Sequence, residues 1–130
     1  MKRVLVADDH ESSREFVRTV LEHSGCVVDE AIDGREALAK VRENPPDLVV
    51  LDLHMPGLDG FAVMKELRQD ARYHSLPVVA LTASAMQGDR ERALAAGFVD
   101  YMTKPISLSV LRNRVLRLIT DKGVADEPLS

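Results

Sequence analysis

The sequence predicts an α/β fold with a five-stranded parallel sheet and helices on both of its faces. Three observations carry that prediction. Five short apolar runs alternate with stretches of helical period, and strict βα alternation implies parallel strands joined by right-handed crossovers. The central run, Leu48-Val49-Val50-Leu51 within PDLVVLDLHMPGLDG, is apolar at every position, as suits a strand buried on both faces. Four of the five runs end on, or lead into, a polar residue able to do chemistry: Asp8 and Asp9, Asp52, Thr82 and Lys104.

Taken in order, residues 4–7 form the first strand and residues 11–24 a helix with Phe16, Val17, Val20 and Leu21 on its inner face. Gly25 suits that helix's end. Residues 26–31 form the second strand, and Asp33 is placed to cap a helix over 34–43 with Ala37, Leu38 and Val41 inward. Asn44-Pro45-Pro46 stops it. The third strand is 48–52. Beyond Gly60, the spacing of Phe61, Met64, Leu67 and Ala71 marks a third helix, and Leu76-Pro77 opens a fourth strand over 78–82. An Ala-rich stretch, 85–96, reads as the fourth helix, with Gly97 beyond its end. Residues 98–102 form the fifth strand, bounded by Lys104-Pro105. Ser107 then caps a last helix whose inner face is Leu108, Leu111, Val115, Leu118 and Ile119. The expected domain covers 1–122, with 123–130 a short frayed tail. The expected sheet order is the flavodoxin-like 2-1-3-4-5, although periodicity alone does not fix order.

Composition excludes several functions. A chain of 130 residues accommodates one domain with a sizeable core. A net charge of −4 argues against nucleic acid as the main partner, which would want a basic face. No apolar run reaches eighteen residues, so no membrane span is expected, and nothing before the first strand reads as a leader. The single cysteine, Cys26, excludes an internal disulfide framework and fits a reducing cytoplasm, where it reads as a small buried side chain.

Parallel strands deliver their ends to one edge, where open α/β sheets place their ligand crevice. There Asp8, Asp9 and Asp52 would repel one another unless a cation sat among them. A hard divalent ion with oxygen ligands resolves that conflict, and beside phosphate Mg²⁺ is the usual choice. Lys104 supplies a point charge and Thr82 a hydroxyl. The set has the parts for phosphoryl transfer to or from a carboxylate, with Asp52 the reactive group. Blander readings exist for each member alone: Asp8-Asp9 also complements a helix dipole, and Thr82 and Ser84 also suit a turn. His10, His23 and His74 read as solvated surface, as do Arg90, Arg92, Arg112, Arg114 and Arg117. His54 stands apart because it lies two residues beyond Asp52.

The segments VLVADDHESSRE, PDLVVLDLHMPGLDG, PVVALTASA and DYMTKPIS, in this order and at these spacings, resemble the response-regulator receiver domain of bacterial two-component signalling, in its single-domain, chemotaxis-regulator-like form. The resemblance covers about residues 2–122. It implies that Asp52 accepts phosphate from a phosphohistidine of a sensor histidine kinase or histidine phosphotransfer protein. It implies Mg²⁺ on Asp9 directly, on Asp8 largely through water, on Asp52, and on the backbone carbonyl of His54. Thr82 would bind the phosphoryl group and Lys104 would pair with it. Tyr101 matches an aromatic switch position, and the Lys104–Pro105 bond is expected to be cis. Phosphorylation would reshape the face of helix four, strand five and helix five for a downstream protein, with the chain a monomer or weak dimer. It would be no enzyme beyond its own phosphorylation and slow dephosphorylation, and the His54 side chain would tune the latter. The segment AMQGDRERALAAG is similar to helix-four sequences of hybrid-kinase receivers and of some single-domain regulators; Met1 so close to the first strand favours a free-standing form over an excised hybrid-kinase receiver. Three rivals are weaker. A Mg²⁺-dependent phosphatase with an Asp nucleophile would want a second acid where His54 stands. A flavin carrier would want hydroxyls and amides where Asp8-Asp9 stands. An interaction module independent of phosphorylation would not need the full acid–Thr–Lys set.

Overall fold

In the computed structural model, which describes residues 2–83 and 88–124 and side chains as far as residue 120, five strands and five helices alternate. They are β1 (Arg3–Ala7), α1 (Glu11–His23), β2 (Val27–Ala31), α2 (Gly34–Glu43), β3 (Leu48–Asp52), α3 (Gly60–Gln69), β4 (Val78–Thr82), α4 (Asp89–Ala95), β5 (Asp100–Thr103) and α5 (Leu108–Val124). All strand pairs are parallel and the order is β2-β1-β3-β4-β5. The three inner strands are buried on both faces, and their residues alternate between two cores. Leu5, Val49, Leu51, Val78 and Ala80 face a core completed by Leu38, Val63, Met64 and Leu67 of α2 and α3. Val4, Val6, Val50, Val79 and Leu81 face one completed by Val17 and Leu21 of α1 and Leu111 and Val115 of α5. Edge strand β2 is less buried and carries Asp29 and Glu30, charges that blunt an open edge.

The expected caps form. Asp33 accepts from the Glu36 amide at 2.8 Å, with Glu36 reaching back to the Ile32 amide at 2.7 Å, and Ser107 accepts from the Val110 amide at 3.1 Å. Several boundaries differ from the sequence expectation. Phe16 is 38% exposed, because the stripe Val17-Val20-Leu21 already faces the sheet and a residue one position earlier is turned about 100° away from it. Leu108 is 50% exposed. It continues the row Arg112 and Leu116 along the cleft with α1, beside the Leu111-Val115-Ile119 row that meets the sheet. The third helix ends at Gln69, because Asp70 caps a separate 3₁₀ turn, Ala71–Tyr73, and Ala71 is exposed. The fifth strand is shifted to begin at Asp100; Phe98 packs in the α2–α3 core ahead of it. Among the described residues α4 begins at Asp89, and Ser84, Ala85 and the rest of 84–87 lie outside them. The last helix continues to Val124, past the expected domain end, and 125–130 likewise lie outside the described residues.

Two helix starts depend on glycine. A Cβ on Gly34 would stand 2.1 Å from the Leu58 carbonyl oxygen, and one on Gly60 would stand 2.6 Å from the Asp52 carbonyl oxygen and 2.8 Å from Leu53 Cα. Both obstacles are backbone, which cannot swing aside. Gly34→Ala is therefore expected to destabilise the fold by about 3 kcal/mol, read as a lowered urea midpoint at unchanged slope; a shift under a few tenths would show that the α2–α3 junction is looser than this.

Candidate functional site

The carboxyl edge of the sheet collects residues from four strands. Asp8 follows β1, Asp52 and Thr82 are the last residues of β3 and β4, and Lys104 follows β5. Parallel register holds them level: Asp52 lies across from Leu81 and Thr82 across from Thr103, while the Lys104 amide donates to the Thr82 carbonyl at 2.7 Å. Asp8 and Thr82 are fully buried and Asp52 is 2% exposed. The Lys104–Pro105 peptide is cis.

Lys104 joins the two buried acids. Its Nζ lies 3.0 Å from Asp8 Oδ2 and 3.1 Å from Asp52 Oδ2. The other oxygen of each acid accepts the backbone N–H two residues on: His10 N–H to Asp8 Oδ1 and His54 N–H to Asp52 Oδ1, both 2.9 Å. Burial pushes the Asp8 carboxyl up, but the His10 amide, Ser13 and Lys104 outweigh it and hold Asp8 below the usual carboxylate range. At Asp52 burial wins. The His54 amide and Lys104 offset it only in part, the Asp8 charge adds to it, and the carboxyl is held above its ordinary value. Burial alone would lower Lys104; the two acids reverse that and raise it.

Asp9 is 28% exposed, yet its Oδ1 is buried and has no hydrogen-bond partner among the described residues. Asp8 Oδ2, also buried and without a hydrogen-bond partner among the described residues, faces the Lys104 ammonium at 3.0 Å. Buried carboxylate oxygens left in this state are an incomplete set, and three hard anionic donors fit a hard divalent cation. The acidic cluster is thus compatible with Mg²⁺.

Comparison with known proteins places this geometry. The family model of the response regulator receiver domain matches residues 4–116. The chain belongs to the receiver domain family. It is 40% identical over 125 residues to the response regulator PleD of Caulobacter vibrioides, covering 96% of this chain but only 28% of PleD. It is 38% identical over 107 residues to the polar-differentiation response regulator DivK of Brucella ovis, covering 82% of this chain and 87% of DivK. Among solved structures, the receiver domain of the sensor histidine kinase PA1611 of Pseudomonas aeruginosa, which has a magnesium ion coordinated in its active site cleft, superposes with a TM-score of 0.84 at 31% identity. That superposition covers 92% of this chain and 98% of that one. The relatives thus include regulators about as long as this chain and receivers that form a small part of larger proteins.

In this receiver the edge holds Asp8, Asp9, Asp52, Thr82 and Lys104 together. Tyr101 lies on β5, within the α2–α3 core, and is 8% exposed. Its hydroxyl has no hydrogen-bond partner among the described residues, and burial pushes its pKa up. A buried hydroxyl without a partner costs more than it returns. Tyr101→Phe is therefore expected to leave stability unchanged or raise it by up to about 1 kcal/mol; a loss of that size in thermal unfolding would show that the hydroxyl is satisfied.

Two features of the edge were not legible beforehand. The Arg14 guanidinium donates to the Asp8 carbonyl at 3.0 Å and to Glu30 at 2.8 Å, tying the acidic turn to β2. Its signal in sequence is only an arginine one turn into α1. His10, read as mere surface, places its imidazole against both Asp8 and Asp9. Two arginines are likewise less free than expected: Arg92 lies 4.8 Å over the Phe61 ring, and Arg114 pairs with Asp100 at 3.2 Å.

Proposed function

We propose that this receiver takes a phosphoryl group on Asp52 from a phosphohistidine, of a sensor histidine kinase or a histidine phosphotransfer protein, and thereby changes the face it offers to a downstream protein. The observation that carries the proposal is the Lys104 bridge: one ammonium within 3.1 Å of both Asp8 and Asp52 at the sheet edge. In transfer, an Asp52 oxygen forms the new bond to phosphorus as the phosphorus–nitrogen bond of the donor breaks, and the electron pair of that bond stays with the imidazole. The raised Lys104 pKa keeps its charge through the working range, ready for a phosphoryl oxygen. Thr82, buried at the end of β4, is placed to donate its hydroxyl to another. Asp8, Asp9, Asp52 and the His54 carbonyl would hold Mg²⁺, which when bound offsets the charge of the phosphoryl oxygens.

The output reading rests on what lies beside the edge. Val110, 42% exposed, lines a groove of about 490 Å³ together with Arg90, Tyr101 and Ile106, and Leu94 of α4 and Val99 just before β5 are also exposed. Charge added at Asp52 would draw Thr82 and Lys104 inward and shift a two-state equilibrium of this face, with Tyr101 its aromatic switch. The exposed His54 side chain borders the path of a hydrolytic water and would tune the lifetime of the acyl phosphate. No further turnover is expected, and the position two beyond Asp52, which a phosphatase of this type would fill with an acid, holds that histidine.

Incubation with acetyl phosphate and Mg²⁺ followed by intact-mass measurement tests the proposal. The expected result is a gain of one phosphoryl group that is lost on omitting Mg²⁺; no gain would sink it.

A further inference from the structure

His10 opens α1 without capping it through its side chain. Its imidazole is 64% exposed, yet Nδ1 stands 3.4 Å from Asp9 Oδ1 and 3.5 Å from Asp8 Oδ1. One donor atom from each of Asp8, Asp9, His10 and Asp52 falls within 4.8 Å of all the others. Asp9 Oδ1, the oxygen nearest the imidazole, is the buried one that no hydrogen bond satisfies among the described residues.

Those spacings put three donors within reach of one ion. Neighbouring ligands lie about 3.0 Å apart around an octahedral Mg²⁺ and about 3.3 Å apart around a tetrahedral Zn²⁺, both close to the 3.4 and 3.5 Å separations from Nδ1. Donor type chooses between the two. Imidazole suits zinc and its transition-metal neighbours, whereas magnesium takes oxygen.

We propose that His10 gives this receiver's acid site a second metal mode, in which Asp8, Asp9 and His10 Nδ1 hold a borderline transition cation such as Zn²⁺ in competition with Mg²⁺. Both ions draw on the same carboxylates, so binding of one excludes the other. His54 has no part in it.

The test titrates Zn²⁺ and Mg²⁺ separately onto metal-free full chain, with free Zn²⁺ set by a chromophoric chelator. The proteins are the native chain, His10→Ala, His10→Gln and, as a control outside the acid cluster, the exposed His74→Ala. Both His10 variants are expected to lose about tenfold or more in Zn²⁺ affinity while Mg²⁺ affinity stays within about twofold. His74→Ala should match the native chain, and visible bands of the Co²⁺-loaded protein should move in His10→Ala. Zn²⁺ affinity unchanged in both His10 variants, or Zn²⁺ that fails to displace Mg²⁺, overturns the inference. It rests on the proposed role of the same acids toward Mg²⁺, and the Mg²⁺ titration separates the two. An absence of Mg²⁺ binding sinks that role, whereas Mg²⁺ binding alongside Zn²⁺ indifferent to His10 sinks only the second mode.

Discussion

Lys104→Met is expected to cost about 3–5 kcal/mol of folding stability near neutral pH, the usual penalty for removing one partner of a buried ion pair. Methionine keeps the length and removes the charge, which leaves the buried Asp8 and Asp52 facing each other without their shared cation. The sign of the pH dependence follows. In the variant the Asp52 carboxyl rises further above the 3.8 of the unfolded chain, because burial and the Asp8 charge remain and the offsetting ammonium is gone, while Asp8 keeps the His10 amide and Ser13. The folded state then holds a proton that the unfolded state has released. Stability is therefore greatest below the unfolded value and is lost as pH rises through it toward the raised folded value of Asp52. Urea unfolding at about pH 4 and pH 7 should show a small deficit at the lower pH and a large one at the higher. Added Mg²⁺ should restore part of the loss, since a cation that binds only the folded acids stabilises them by mass action. A deficit equal at both pH values would mean that Lys104 acts through packing, not charge.

Asp52→Asn is expected to abolish phosphoryl incorporation altogether while leaving the chain folded. The amide cannot act as the nucleophile, so no mass gain from acetyl phosphate should survive, whatever the Mg²⁺ concentration. Stability should change by no more than about 1–2 kcal/mol. Asp8 keeps its contact with Lys104, and the repulsion that helps to raise Asp52 disappears. The pairing of an intact fold with no acceptor is the useful result. A mass gain that persists in the variant would move the acceptor elsewhere, with Asp8 and Asp9 the first places to look.

The strands were the most legible part of this chain, because full burial leaves an unbroken apolar run: Leu48 to Leu51 could belong to little else. Caps were legible for a related reason. Asp33 and Ser107 bond to amides three residues on, so a short window contains the whole interaction. Faces at helix edges were harder. Phe16 and Leu108 fit an apolar stripe in sequence, but which row meets the sheet depends on how α1 and α5 settle against each other. The start of β5 shifted for a similar reason. Phe98 is as apolar as a strand residue, yet it packs edge-on against Phe61 before the ladder begins.

By itself the sequence determined the alternation of strands and helices, the acids, hydroxyl and lysine at the strand ends, and through their motifs the receiver family. Those properties are written in composition and spacing, which a chain carries whether folded or not. Only the tertiary structure decided that Lys104 stands between Asp8 and Asp52, that the Tyr101 hydroxyl is buried without a partner among the described residues, and that His10 leans on the acids instead of facing away. Each of these is a distance between groups that separate strands and turns deliver, set by strand order and register. Local sequence reaches only a few residues, whereas Asp52 and Lys104 meet across 52 positions.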